Sequence, residues 1–287
     1  MHRPLVLLRG TLVATAAILA ACKTEQQKQP APPPAPPAPH AFTVHGSDFK
    51  FAGPDTVPAG VTTITFVNDG PGFHHLQLVM LDSGKTAKDF EDALKKMKPT
   101  DPFPAWAKMA SGPNAAMPGS QSVATLDLAA GNYAMICLVD VPDRIPHFAK
   151  GMIRPLTVTP STGAMAAMPK ADYTLQATEY TFATTDTIKA GHHTFDVKLQ
   201  GVQPHEVILF KLVPGKTPKD FGAWAQTYKG PPPVTVAGGV TTTMPGSTVQ
   251  FASDISPGDY MLVCLVPDLK DGKPHIAHGM MVPFSVK

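Results

Sequence analysis

Several short stretches of the chain alternate apolar and polar residues, a pattern of period two that is typical of strands with one buried face. VTTITFVND at 61–69 and HTFDVKL at 193–199 show this alternation. HLQLVML at 75–81 and HEVILF at 205–210 are apolar runs of strand length. Many short strands separated by turn signals predict an all-β sandwich or a Greek-key barrel.

Two further stretches alternate in the same way, GNYAMICLV at 131–139 and GDYMLVCLV at 258–266. The residues that this alternation places on one strand face are Tyr133, Met135, Cys137 and Val139, and then Tyr260, Leu262, Cys264 and Val266. Apolar residues at helical spacing also occur once in each half of the chain, from Phe90 and from Phe221 onward. Each half is therefore predicted to combine strands with one short helical insert.

The second half of the chain repeats the first. Residues 42–90 align with 173–221 at an offset of 131 without a gap, and 18 of these 49 positions are identical. Further along the chain the offset becomes 127, which aligns Cys137 with Cys264. A period this long indicates a duplicated domain rather than a solenoid of short repeats.

Length and composition agree with two domains. A chain of 287 residues suits two domains of about 120 residues each. With 43% hydrophobic residues it can form cores, and its net charge of +2 provides no basic field that would favour nucleic acid. Three cysteines cannot form a disulfide framework. The predicted domains are 42–159 and 172–287, joined by a linker at 160–171.

The N-terminal segment has the features of an export signal. Residues 1–21 begin with Arg3 and Arg9, continue as an apolar run and end in Leu-Ala-Ala before Cys22. This order resembles the bacterial lipobox, which implies removal of residues 1–21, lipidation of Cys22 and a lipid-anchored, periplasmic or cell-surface location in the bacterial envelope. The alternative is an ordinary signal peptide in which Cys22 is incidental. Residues 22–41 contain PAPPPAPPAP and predict a semi-rigid polyproline II tether.

Both halves keep one cysteine, two histidines and one methionine at matched positions. The spacing is Cys-x9-His-x4-Met in the first half and Cys-x10-His-x4-Met in the second. A thiolate, two imidazoles and a weakly bound thioether form the ligand set of an electron-transfer copper site. The candidate ligands are His74, Cys137, His147 and Met152 in the first half, and His205, Cys264, His275 and Met280 in the second.

These residues make each half similar to the cupredoxins, the blue-copper family of plastocyanin and azurin. In that family the first histidine opens a strand, the last strand reads G-x-Y-x-x-x-C, and a loop carries the second histidine before Gly-Met. The resemblance implies two Greek-key β-sandwich domains, one copper ion per domain, and electron exchange with a redox partner protein such as a cytochrome or a copper enzyme. The sequence departs from plastocyanin in two ways. Its Cys-to-His loop is longer, and the residue after the first histidine is His75 in one half and Glu206 in the other, where plastocyanin has Asn.

The sequence leaves alternatives open. Cys137 and Cys264 could be small buried apolar residues, and His75 competes with His74 as the first ligand. No histidine flanks either cysteine to lead to a second kind of copper, so the sequence predicts electron carriage and not an enzyme. The other hypotheses are a copper carrier or buffer without redox traffic and a metal-free interaction module.

Overall fold

The computed structural model of the protein describes residues 37–98 and 101–287, most of which form strands. The predicted signal peptide, Cys22 and most of the predicted tether lie outside these residues. In the first half the strands are β1 (His40–Ser47), β2 (Lys50–Ala52), β3 (Thr56–Pro58), β4 (Gly60–Asn68), β5 (Gln77–Leu81), β6 (Ala107–Met109), β7 (Gln121–Leu128), β8 (Gly131–Ile136) and β9 (Ile153–Thr159).

The second half presents a matching series of elements. Its strands are β10 (Tyr173–Thr178), β11 (Thr181–Thr184), β12 (Gly191–Leu199), β13 (His205–Leu212), β14 (Val234–Thr243), β15 (Thr248–Ile255), β16 (Gly258–Val263) and β17 (Met281–Val286). Between these two series, residues 160–172 form no strand or helix. In the described ranges, no helix is long and apolar enough to cross a membrane.

Each half contains the short helix that the apolar spacing predicted. Helix α1 spans Ala87–Leu94 and helix α2 spans Pro218–Thr227. Both begin with a capping box, in which a threonine hydroxyl accepts the N–H of an aspartate three residues later and that aspartate accepts the threonine N–H. Phe90 in α1 and Phe221 in α2 are buried against the outer face of the adjacent sheet.

Two sheets pack face to face in each half. In the first half the order is β2-β1-β4-β7 in one sheet and β3-β9-β8-β5-β6 in the other. In the second half it is β11-β10-β12-β15 and β14-β13-β16-β17. Strand β1 runs parallel to β4, and β10 runs parallel to β12. The all-β prediction of two cupredoxin-like sandwiches, each with a helical insert, is confirmed; the exact domain boundaries stay a prediction.

The predicted strand faces are also confirmed. Tyr133, Met135 and Cys137 point into the large core between the sheets, whereas Ala134 and Ile136 point outward to a smaller cluster under α1. In the second half, Tyr260, Leu262, Cys264 and Val266 belong to the same large core. The alternation along β8 and β16 therefore directs each cysteine inward.

The two halves are joined by backbone pairing. Strand β15 pairs antiparallel with β7, with Phe251 opposite Ala124, so that one eight-stranded sheet runs through both halves. A second contact joins the segment before β7 to β14, where Thr241 N–H donates to Gly112 C=O at 2.9 Å and Ser111 N–H donates to Thr242 C=O at 3.2 Å. No pattern in the sequence predicted this joint.

The segment around the first histidine differs from the predicted strand 75–81. Strand β5 begins only at Gln77. Before it, Ala116 N–H donates to His74 C=O at 2.9 Å, and Leu76 N–H donates to Pro113 C=O at 3.2 Å. This irregular pairing interrupts the regular ladder, and it fixes the backbone on both sides of His75.

Candidate metal centres

Three side chains converge at one end of the first sandwich. Cys137 follows β8 directly, His147 opens a single 3-10 turn at His147–Lys150, and His74 lies in the irregular segment before β5. All three are buried. The Cys137 Sγ lies 3.6 Å from His147 Nδ1, and His147 Nδ1 lies 3.0 Å from His74 Nδ1. We call this group, with Met152, the first centre.

The second sandwich places its matched residues in the same way. Cys264 follows β16, His275 opens a 3-10 turn at His275–His278, and His205 begins β13. The Cys264 Sγ lies 3.4 Å from His275 Nδ1 and 3.9 Å from His205 Nδ1, and the two Nδ1 atoms are 3.1 Å apart. This group, with Met280, is the second centre. Among the described residues, Cys137 and Cys264 form no disulfide.

The donor atoms of each centre fit around one metal ion. Ligands bound about 2.0–2.3 Å from a first-row metal ion lie roughly 3.3–4.0 Å apart when three of them surround it. The three sulfur–nitrogen separations, 3.4–3.9 Å, lie in this range, and the two nitrogen–nitrogen separations, 3.0 and 3.1 Å, lie just below it. One soft sulfur with two imidazoles is the donor set that suits copper in particular.

Burial sets the protonation of these donors. Desolvation, together with a smaller effect of the second histidine of each centre, lowers the pKa of His74 and of His205 to about 4. The pKa values of His147 and His275 are also lowered, chiefly by burial. At neutral pH the imidazoles are therefore uncharged, the form that binds a metal.

For the two cysteines, burial shifts the pKa upward instead of downward. Burial raises the pKa of Cys137 and of Cys264 to about 12, although backbone N–H groups of His75 and Glu206 oppose this shift. In the first centre, His75 N–H points at the Cys137 Sγ from 3.5 Å. Since only the thiolate is a good ligand, metal binding at either centre must release one proton.

The methionines are held beside these donors by the backbone. Met152 N–H donates to His147 C=O at 3.0 Å, and Cys137 N–H donates to Met152 C=O at 3.2 Å. Met280 makes the same two bonds with His275 and Cys264. Both methionines are fully buried. The chain therefore brings all four predicted residue types together at each centre.

The residue after the first histidine, His75 or Glu206, accepts a backbone hydrogen bond and is not one of the candidate ligands. His75 Nε2 accepts the Leu138 N–H at 2.8 Å, and Glu206 Oε1 accepts the Leu265 N–H at 3.0 Å. Each of these bonds joins the residue after the first histidine to the residue after the cysteine. Because the ring of His75 is engaged there, His74 and not His75 faces Cys137.

Two residues near the centres were missed by the sequence analysis. Asp268 is buried, and its Oδ2 lies 3.9 Å from the Nε2 of His275. Asn114 belongs to the first half but reaches the second, where its Nδ2 donates to Val240 C=O at 2.8 Å and approaches Glu206 Oε2 at 3.4 Å. Asn114 has no counterpart in the other half, so the repeat could not reveal it.

Comparison with known proteins finds similarity only at the level of fold. No protein-family model and no curated protein matches the chain. A reduced auracyanin from Roseiflexus castenholzii matches 43% of this chain and 100% of its own at 23% identity and a TM-score of 0.28. A multicopper oxidase matches 86% of this chain and 88% of its own at 14% identity and a TM-score of 0.26. A copper nitrite reductase from Nitrosomonas europaea matches 87% and 94% at 15% identity and a TM-score of 0.26.

These comparisons correct one expectation. The sequence led us to expect that the chain is not an enzyme, because no histidine flanks Cys137 or Cys264. The solved structures that match across both halves include a multicopper oxidase and a copper nitrite reductase. The expected exclusion of enzymatic activity is therefore wrong as stated.

Proposed function

We propose that the protein binds one copper ion at each centre and transfers electrons. The observation that carries this proposal is the recurrence of a buried His-Cys-His set, at matched positions and with matched geometry, in both sandwiches. The donors are removed from water and, within residues 37–98 and 101–287, the two cysteines form no disulfide, which supports their use as metal ligands.

The donors are already in place and buried from water in each sandwich. The imidazoles are neutral at physiological pH, and they are fixed by the backbone of the segment before β5, of β13 and of the two 3-10 turns. Copper, when bound, supplies a one-electron couple between Cu(I) and Cu(II). Soft and borderline ligands in a trigonal set suit both oxidation states. A rigid β scaffold then keeps the donors in place, which limits the movement that accompanies each electron.

We further propose that Cys22 carries the lipid anchor and that residues 22–41 hold the two sandwiches away from the membrane. The support is the order of basic residues, apolar run and small residues before Cys22. Several acyl chains bind a membrane stably, whereas one chain binds only marginally. The partner in this proposal is a redox protein of the bacterial envelope, such as a cytochrome or a copper enzyme.

Absorption spectroscopy of the copper-loaded protein tests the copper proposal. We expect two copper ions per chain and an intense visible band from thiolate-to-copper charge transfer. Cys137→Ser and Cys264→Ser should each remove one copper and part of the band, and the double variant should remove all of it. His192→Ala is the matched control, because His192 is exposed and pairs only with Asp254. A loaded protein without the band would refute the proposal.

Membrane fractionation tests the anchor separately. The native chain expressed in a bacterium should partition into detergent, and Cys22→Ala should shift it to the aqueous phase. Unchanged partitioning of Cys22→Ala would refute the anchor and leave the copper proposal untouched.

A further inference from the structure

We propose that the two centres are not equivalent and that the second centre has the lower reduction potential, because a buried carboxylate faces its ligand ring. This inference rests on the proposed copper function. It follows from comparing what surrounds the matched histidines His147 and His275, which the two sandwiches otherwise hold in the same way.

The outward nitrogen of each loop histidine meets a different group. In the first centre, His147 Nε2 lies 3.3 Å from the backbone carbonyl of Val141. In the second centre, His275 Nε2 lies 3.9 Å from a carboxylate oxygen of Asp268. Asp268 aligns with Val141 at the offset of 127 that relates the two cysteines, and with Asp140 at the offset of 128 that relates the two loop histidines. A neutral dipole in one centre is therefore replaced by a full negative charge in the other.

Asp268 is built to remain charged in this place. Its carboxylate accepts the Tyr180 hydroxyl, the Gln203 side-chain amide at 2.8 Å and the backbone N–H of Lys270 at 2.7 Å. These bonds hold the pKa of Asp268 below its usual range. The residue is only 3% exposed, so water screens its charge poorly. None of these donors carries a positive charge that would cancel it.

The charges around the first ring differ. Near the first ring, Lys150 Nζ pairs with Asp143 at 2.8 Å, so these two charges largely offset each other. Asp140 also acts on His147, but it is only half-buried, whereas Asp268 is buried. The position after the first histidine adds to the contrast, since the neutral His75 ring in the first centre is replaced by the buried carboxyl group of Glu206 in the second.

Negative charge near a metal favours its higher oxidation state. A carboxylate facing the ring nitrogen also makes the imidazole a stronger electron donor toward the metal. Both effects stabilise Cu(II) over Cu(I) at the second centre and lower its potential. With copper at both centres, one shared electron would therefore reside mainly at the first centre, as Cu(I) there and Cu(II) at the second, and its transfer from the second centre would need no proton or other reactant.

Single-centre full-length variants test the order of potentials. Cys264→Ser keeps only the first centre and Cys137→Ser keeps only the second. Redox titration followed at the visible band should give the lower potential for Cys137→Ser. The two potentials should differ by at least about 59 mV, which for a one-electron couple corresponds to a tenfold difference in the ratio of Cu(II) to Cu(I). Equal potentials, or the reverse order, would overturn the inference.

A charge substitution then tests the cause. In the Cys137→Ser chain, Asp268→Asn should raise the potential of the remaining centre by about as much as the gap. Asp271→Asn is the matched control on the same loop, and it should have a much smaller effect because its side chain is 37% exposed and pairs with His278. An Asp268→Asn shift no larger than the control would overturn the role of Asp268.

Two features keep the outcome clear. If Asp268→Asn does not fold, the redox titrations of the two single-centre chains with Asp268 intact still test the order of the potentials. Failure of the copper proposal itself would show as a missing band in both single-centre chains. A band in both with equal potentials would instead refute only the inequality.

Discussion

Asn114 lies in the first half of the chain, and its side-chain amide donates hydrogen bonds to the second half. Its Nδ2 donates to Val240 C=O at 2.8 Å and to Val207 C=O at 3.1 Å, and its Oδ1 accepts the Ala115 N–H. The side chain is 1% exposed. Replacement by alanine therefore removes two good hydrogen bonds across the joint and a weaker third one to Glu206.

The expected cost follows from these contacts. A buried hydrogen bond contributes about 1 kcal/mol net, and an acceptor left without its partner costs about 1–3 kcal/mol. Asn114→Ala should then lower the free energy of unfolding by about 2–4 kcal/mol, which corresponds to a Tm drop of about 4–16 °C for a unit of this size. The variant should also alter the spectrum of the second centre and spare that of the first, because Glu206 loses a partner while His75 does not.

Denaturant unfolding and absorption spectroscopy together check this prediction. Asn132→Ala is the control, since Asn132 is exposed and makes only one long hydrogen bond to Lys85 C=O. A loss of stability no greater than that of the control, or equal spectral changes at both centres, would show that Asn114 does not join the halves as argued.

Three further outcomes are expected. Gly112→Ala should destabilise the chain by several kcal/mol in denaturant unfolding. Gly112 has a φ of 151°, and a Cβ there would lie 2.1 Å from the Leu76 carbonyl oxygen. Gly72→Ala is the control and should change little, because a Cβ on Gly72 would meet open space. Without metal, stability should fall as pH drops from about 6.5 toward 4 in thermal melts, since the unfolded chain binds protons at histidines such as His74 and His205 that the folded chain leaves neutral; a flat pH profile would contradict this. Copper loading should raise the Tm, and removal of copper by a chelator should reverse the rise, because the ion binds only the folded donor set.

The sequence was sufficient for features that repeat at a regular period. Alternation along β8 and β16 predicted which residues face the core, and helical spacing around Phe90 and Phe221 predicted the two inserts. The repeat also selected His74, Cys137 and His147 without knowledge of their contacts, because a residue kept at matched positions in both halves stands out. Each of these signals is local or periodic, and the structure places all of these residues as expected.

Other features could not be predicted because they have no periodic signal. The pairing of Ser111 and Gly112 with β14 uses backbone groups, which every residue carries, across more than a hundred positions of chain. Asn114 occurs in one half only, and the contacts of Asp268 with Tyr180, Gln203 and His275 are made in one half only. A buried charge beside a ligand and an amide that spans two domains become visible only when the chain is folded.

The joint between the halves has the geometry of a two-fold interface. Ala124 lies opposite Phe251 and Pro113 opposite Val240, and the members of each pair are separated by the same 127 positions that align the two halves. Each segment at the joint therefore meets its own counterpart, as in a symmetric dimer.

A symmetric dimer of identical chains must carry the same residue on both sides of its axis. In a single chain the matched positions are free to differ, and here they differ next to the centres, since His75 corresponds to Glu206. The scaffold thus keeps two sets of donor residues in nearly the same geometry while the residues around them are set separately for each. Under the copper proposal, two sites of unequal potential would then lie at a fixed separation within one chain.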